Sequence, residues 1–451
     1  MQKVEFTKKM KKDYTILVPN MLPVHFKLIS KILISYGYNV ELLNTTGKHI
    51  ADTGLKYVHN DMCYPALLVI GQLIDAVQSG KYDVHKIALL ITQTGGGCRA
   101  SNYIYLLRKA LQKADLGFIP VISFNFTGVE KSPGFNMTLS IYLKLFSAVM
   151  YGDLLMLLKN QTLPYEETPG ETMALVDSWA ERLVSAMDSP SFFTRKTSLK
   201  NYEAIIKDFS AIKKPQPRKM RVGIVGEIYV KFAPLGNNNL EDFLLSEDVE
   251  IVMAGLFDFC MYCIYNVIAD KDNYGDGSSS KVFIYKRVYN YLLDRQKDMI
   301  DSIKKYSTFS PPCGFTHVVG LTDGYISTAT KMGEGWLLPA EMLELIDQGV
   351  DNIVCTQPFG CLPNHICGRG MMKIIKDKNP EVNLVAVDYD PGATKVNQEN
   401  RIKLMLAIGR ENFQRFSQTL SLPTKVLSSA FDTACITVHC LHIHVYSIAG
   451  S

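Results

Sequence analysis

Apolar residues along this chain fall into two alternating spacings. Short, largely apolar runs at residues 14–19, 38–43, 87–92 and 118–123 read as strands, the run at 87–92 as a buried one. Between them, residues 22–36, 65–77 and 102–113 carry apolar positions at helical spacing. The pattern restarts after residue 220, with strands predicted at 221–226, 249–253, 352–355 and 383–388 and helices at 281–306 and 395–416. Strand and helix signals in alternation predict an α/β fold whose parallel sheets are covered on both faces. Residues 134–158 and 169–212 read as mostly helical and are expected to pack on the first unit. No internal sequence repeat of 20–50 residues is evident.

The two restarts are separated by Lys213-Lys214-Pro215-Gln216-Pro217-Arg218-Lys219, which is charged, holds two prolines and has no apolar residue. That composition predicts a linker. The expected organisation is an N-terminal α/β domain with a helical addition (1–212), the linker (213–219), a C-terminal α/β domain (220–416) and an atypical tail (417–451). Within the tail, residues 436–446 alternate imperfectly and are crowded with His. An edge strand, a metal-binding tract and an unstructured end are all open readings there.

Composition narrows the function classes. The chain has 451 residues, 47% hydrophobic and 20% charged, as expected for two or three globular domains. The 48 basic and 44 acidic residues nearly balance, and no basic stripe is interleaved with aromatics, so nucleic acid is not expected as a partner. The N-terminus is polar and lysine-rich rather than signal-like, and no run of about 18 uninterrupted apolar residues predicts a membrane span. A cytoplasmic protein is expected, in which the ten cysteines stay reduced. Metal binding or catalysis then ranks above disulfides.

The placement of those cysteines is informative. In open α/β sheets, ligands bind beyond the carboxyl ends of the strands. Cys98 follows the strand at 87–92 after Thr94-Gly95-Gly96-Gly97 and opens a helix. Cys355 ends the strand at 352–355, and Cys361 lies six residues on, in Gln357-Pro358-Phe359-Gly360-Cys361-Leu362-Pro363. Cys63 lies just before the helix at 65–77. A thiolate at a helix start is stabilised by free amides and the positive end of the dipole. Backbone N–H groups presented by Gly95–Gly97 can also hydrogen-bond to cluster sulfurs. Cys63, Cys98 and Cys361 are therefore the leading ligands for an iron–sulfur cluster in a cleft between the two domains. Cys355 is a fourth candidate that reads equally as core. Cys260-x2-Cys263 sits in an apolar helix-like stretch and reads as core packing, and Cys313 lies in a turn.

Several stretches together resemble one family. They are Asn60-Asp61-Met62-Cys63-Tyr64-Pro65-Ala66, Thr94-Gly95-Gly96-Gly97-Cys98-Arg99-Ala100-Ser101-Asn102-Tyr103, and Gly223-Ile224-Val225-Gly226-Glu227 followed by Pro234-Leu235-Gly236-Asn237. To these add Gln357-Pro358-Phe359-Gly360-Cys361-Leu362-Pro363-Asn364-His365, Gly368-Arg369-Gly370 and residues 388–401. Residues 14–416 resemble the C-terminal, dehydratase-like portion of acyl-CoA dehydratase activase-related proteins. They are more distantly similar to 2-hydroxyacyl-CoA dehydratase subunits and double-cubane cluster proteins. The resemblance implies two Rossmann-like domains with a cysteine-ligated cluster between them, [4Fe-4S] or double-cubane. It also implies low-potential electron transfer to an acyl-CoA or another small substrate, as in a 2-hydroxyacyl-CoA dehydratase (a lyase) or a small-molecule reductase. The large relatives carry an ATP-dependent activase module and this sequence shows none, nor a GxxxxGK[ST] loop. A separate ATP-dependent activator is therefore expected to supply the electron, and a dimer or heteromer is expected. Glu227 and His365 are candidate proton-handling groups. Arg99 and Arg369 are candidates for phosphate contacts, and Asp388 and Asp390 for turn or capping roles. Two other readings remain open: a non-catalytic electron-transfer or regulatory partner, and a structural zinc protein using Cys355, Cys361 and the Cys260/Cys263 pair.

Overall fold

A computed structural model describes residues 3–94, 97–125 and 130–420, with side chains to residue 414. The apolar runs form eight strands in two four-stranded sheets, parallel throughout. The first sheet contains β1 (Thr15–Pro19), β2 (Asn39–Leu43), β3 (Ile87–Thr92) and β4 (Val121–Phe124). The second contains β5 (Arg221–Gly226), β6 (Glu250–Val252), β7 (Asn352–Pro358) and β8 (Asn383–Tyr389). Their orders, β2-β1-β3-β4 and β6-β5-β7-β8, are the same topology used twice. The chain builds outward from β1 to β2, then returns past β1 to lay down β3. Each sheet thus has a switch point, between β1 and β3 and between β5 and β7, where a crevice opens at the carboxyl ends. Strand β4 begins three residues later than the apolar run predicts. Pro120 has no N–H to give the ladder and contributes its carbonyl to Leu89 N at 2.9 Å.

One helix joins the halves. Tyr64–Gln78 is apolar on nearly every side, with Asp75 and Gln78 the exceptions to an otherwise small or apolar sequence interrupted by Gln72. Such a helix is stable only when covered all round. It packs on β1 and β3 through one face. Through another it meets Tyr229, Val230, Ala233 and Leu235 of the second half, in a single contiguous core. A second core is formed by helices Leu139–Asn160, Glu171–Ala186 and Arg195–Ala211 against Val24, Leu28 and Ile32, and Met299 and Ile303 of helix Ser279–Tyr306 reach across from the second half to complete it. Arg195 forks onto Asp298 at the same contact, with bonds of 3.0 and 2.5 Å.

Residues 213–219 adopt neither helix nor strand. The last described helix, Lys395–Leu420, runs beyond the predicted end at 416. The His-rich tail, with Cys435 and Cys440, lies outside the described residues. Helix Leu139–Asn160 is long and apolar enough to cross a membrane by length and composition, yet 67% of its apolar window is buried inside the fold. Its Asp153 pairs with His25 Nε2 at 2.7 Å and accepts from the amides of Leu256 and Phe257 at 2.8 and 2.7 Å, marking it as a core helix.

Candidate functional site

The carboxyl ends of both sheets meet at one place. Cys63 caps helix Tyr64–Gln78 and is buried. Cys98 opens the 3-10 turn Arg99–Asn102, its sulfur accepting from Ala100 N at 3.5 Å. Cys361 follows β7 in a turn set by Gly360, whose φ is +70°. A Cβ on Gly360 would lie 3.0 Å from the Cys63 Cα, so the turn after β7 rests directly on the Cys63 backbone. Tyr64 N donates to Phe359 O at 2.9 Å across the same contact. Gly97 lies against Met332, and Gly333 against Pro363, which brings a fourth loop to the cleft.

Glu227 ties these groups together. It stands at the end of β5, across the switch point from Cys361, and caps helix Ile228–Phe232 by accepting from Val230 N at 2.9 Å. Gly226 before it has φ +131°, and a side chain there would collide with the Thr356 carbonyl at 2.3 Å, so glycine is required for the chain to leave the sheet. Burial, then the neighbouring Glu334 carboxylate, push the Glu227 carboxyl well above the ordinary range. Glu334 is itself buried and accepts from Ile228 N at 3.0 Å.

All three thiols feel Glu227. Burial raises Cys63 most, with the Tyr103 hydroxyl at 2.8 Å opposing and Glu227 adding. Burial pushes Cys98 up to about 11, with Glu334, Glu227 and Cys63 adding. Burial also lifts Cys361 far above the ordinary thiol range, reinforced by Glu227, Glu334 and Cys98 and eased by the Asn364 amide. Burial thus disfavours the charged form of all three thiols and of both neighbouring carboxyls. Among the described residues the three sulfurs do not all lie within 4.8 Å of one another, the spacing suited to a single ion.

The remaining predicted residues are placed elsewhere. Cys355 is fully buried in an apolar layer with Val225, Leu343 and Ile375. Its charged neighbours are Glu341, Arg369 and Asp388, and its sulfur lies 3.9 Å from Asn364 Oδ1. Among the described residues, Cys355, Cys361, Cys260 and Cys263 do not form a group with ligand atoms all within 4.8 Å of one another. His365 is exposed in the turn after Cys361, and its main-chain N donates to Cys361 O at 3.0 Å. Arg99 is committed to the Asp61 carbonyl at 2.6 Å and Arg369 to Asp388 at 2.7 Å. Asp390 accepts from the Gly392 and Ala393 amides in a turn. Gly95 and Gly96 lie outside the described residues.

Three contributors escaped the sequence reading. Tyr103 reaches Cys63 from the helix after Cys98. Asn364, fully buried, holds the Cys361 turn to β7 through Nδ2 to Thr356 O at 2.7 Å. Glu334 arrives on a loop without strand or motif signal. Two further cysteines, Cys263 and Cys367, also have Glu334 as a charged neighbour. Tyr103 and Asn364 belong to the stretches that carry the resemblance, and that was the available signal. Comparison with protein-family models and with curated proteins gives no match for this chain.

Proposed function

We propose that this chain is a cytoplasmic iron–sulfur protein of the 2-hydroxyacyl-CoA dehydratase type, with Cys63, Cys98 and Cys361 as the cluster ligands. The supporting observation is that three thiols from separate loops of two sheets share one buried carboxyl, Glu227, as an electrostatic neighbour. The resemblance in the same loops adds the expected chemistry. A bound cluster would supply one low-potential electron, received from a separate ATP-dependent activator, to an acyl-CoA or another small reducible substrate.

The chain's own residues do the rest. The Tyr103 hydroxyl shares a hydrogen bond with the Cys63 sulfur, and the Ala100 and Asn364 amides face those of Cys98 and Cys361. Such donors stabilise sulfur charge and tune a cluster's potential. Glu227, held protonated by burial, keeps a proton at its carboxyl beside the thiols. His365 stands at the exposed rim.

Anaerobic purification with iron and sulfide analysis tests the reading. Iron and sulfide in comparable amounts, with a low-temperature EPR signal on reduction, are expected. Cys63→Ser, Cys98→Ser and Cys361→Ser each lose iron or change that signal, whereas Cys355→Ser keeps both. A colourless protein containing zinc and no iron would sink the proposal. Iron binding without turnover across a broad acyl-CoA panel would make the chain an electron carrier instead.

A further inference from the structure

At the opposite end of the second sheet, three side chains of metal-binding chemistry meet. Cys313 lies in Pro311-Pro312-Cys313-Gly314, leading into helix Phe315–Leu321. His317 follows at a Cys-x3-His spacing in the first turn of that helix. Asp347 is the last residue of helix Leu337–Asp347, which packs against it. One ligand atom from each of the three lies within 4.8 Å of the other two, and His317 Nε2 is 2.9 Å from Asp347 Oδ2.

The surroundings hold the sulfur in place. Gln348 Nε2 donates to Cys313 Sγ at 3.4 Å. Glu344, only 4% exposed, accepts from Cys313 N at 3.1 Å and from the same Gln348 amide at 3.2 Å. One buried carboxylate thus fixes both the cysteine backbone and the donor that faces its sulfur, as outer partners do around a metal-bound thiolate. A His–Asp pair on a surface contributes little by itself and has no use for an oriented thiol beside it. The edges of a tetrahedral zinc polyhedron are roughly 3.3–3.7 Å, as bond lengths of about 2.0–2.3 Å require.

We propose that Cys313, His317 and Asp347 bind a mononuclear zinc ion, with a fourth position open to solvent. Sulfur, imidazole and carboxylate together suit zinc better than calcium or magnesium, which take oxygen ligands. On binding, the thiol gives up its proton and two metal bonds replace the His317–Asp347 hydrogen bond. The site is independent of the cleft thiols. Arg221, the first residue of β5, donates to the Gln348 and Gly349 carbonyls at 2.9 Å, whereas Glu227 follows the last residue of that strand. Six strand residues separate the two ends by roughly 15–20 Å.

The full chain, dialysed against a chelator and titrated with Co²⁺, tests this. One equivalent should produce a thiolate-to-cobalt charge-transfer band in the difference spectrum, and Zn²⁺ should displace it. Cys313→Ser should abolish the band. His317→Ala should weaken cobalt binding at least about tenfold. His317 is exposed, so that variant keeps the wild-type circular dichroism and reports on binding alone. No binding, unchanged affinity in His317→Ala, or a band that survives Cys313→Ser would each overturn the assignment.

Discussion

At the scale of single residues, the unusual feature is how many acids the second half buries. Glu227, Glu334, Glu341, Glu344 and Asp258 are all under 10% exposed, and Lys231 alone among the buried bases pairs with one of them, Glu341 at 2.8 Å. Asp258 shows the consequence most cleanly. Burial raises it well above the ordinary aspartate range, and Glu344, Asp153 and Glu341, which face it from two neighbouring helices, raise it further. Gln296 Nε2 donates to it at 3.0 Å and opposes the rise. Above about pH 3.9 the unfolded chain loses this proton while the folded one keeps it. The folded state then binds more protons, so stability falls as pH rises until the folded value is passed. Asp258→Asn preserves the acceptor for Gln296 and removes the titration. In urea unfolding, the variant should gain on the wild type progressively as pH rises above about 4. Parallel curves for the two proteins would show that Asp258 is ionised in the fold.

At the scale of elements, the sequence revealed more of the framework than of the site. The strands of each sheet are visible as apolar runs because parallel strands covered on both faces need no polar alternation. That same property hid the role of Cys355. Every residue of β7 is buried, so nothing in the run says which face a given side chain takes. Cys355 packs with Leu343 and Ile375 of the covering helices, and Cys361 lies beyond the strand end. The loop carrying Glu334 has no periodicity at all, and its arrival beside Glu227 is a tertiary event. The turn Phe359-Gly360-Cys361 is the element whose shape matters most. Gly360→Ala forces a left-handed residue to carry a side chain and pushes it onto the Cys63 backbone, which costs about 1–2 kcal/mol in backbone strain alone. The variant should unfold at lower denaturant and retain less iron after anaerobic purification. Wild-type iron content would show that the turn has room to shift.

At the scale of the whole molecule, the two halves repeat one topology but are not independent bodies. Helix Tyr64–Gln78 lies in a core shared by both sheets, and helix Ser279–Tyr306 completes the helical layer of the first half. Each fully buried aliphatic side chain at these joints contributes about 1.5–3 kcal/mol. Residues 1–212 expressed alone would uncover both faces. They should bind a hydrophobic dye strongly and lack a cooperative melt, whereas the full chain should melt in one transition. A sharp melt for the fragment would contradict the shared core.

The bond from Tyr64 N to Phe359 O carries a temporal implication. Its two ends are separated by nearly three hundred residues of chain. At ordinary rates of ribosomal synthesis, roughly 15–60 s pass between the emergence of Cys63 and that of Cys361. During that interval the earlier sulfurs have no counterpart to close against. The seam between the two sheets therefore closes only after Phe359 has left the ribosome, however early the first sheet has formed.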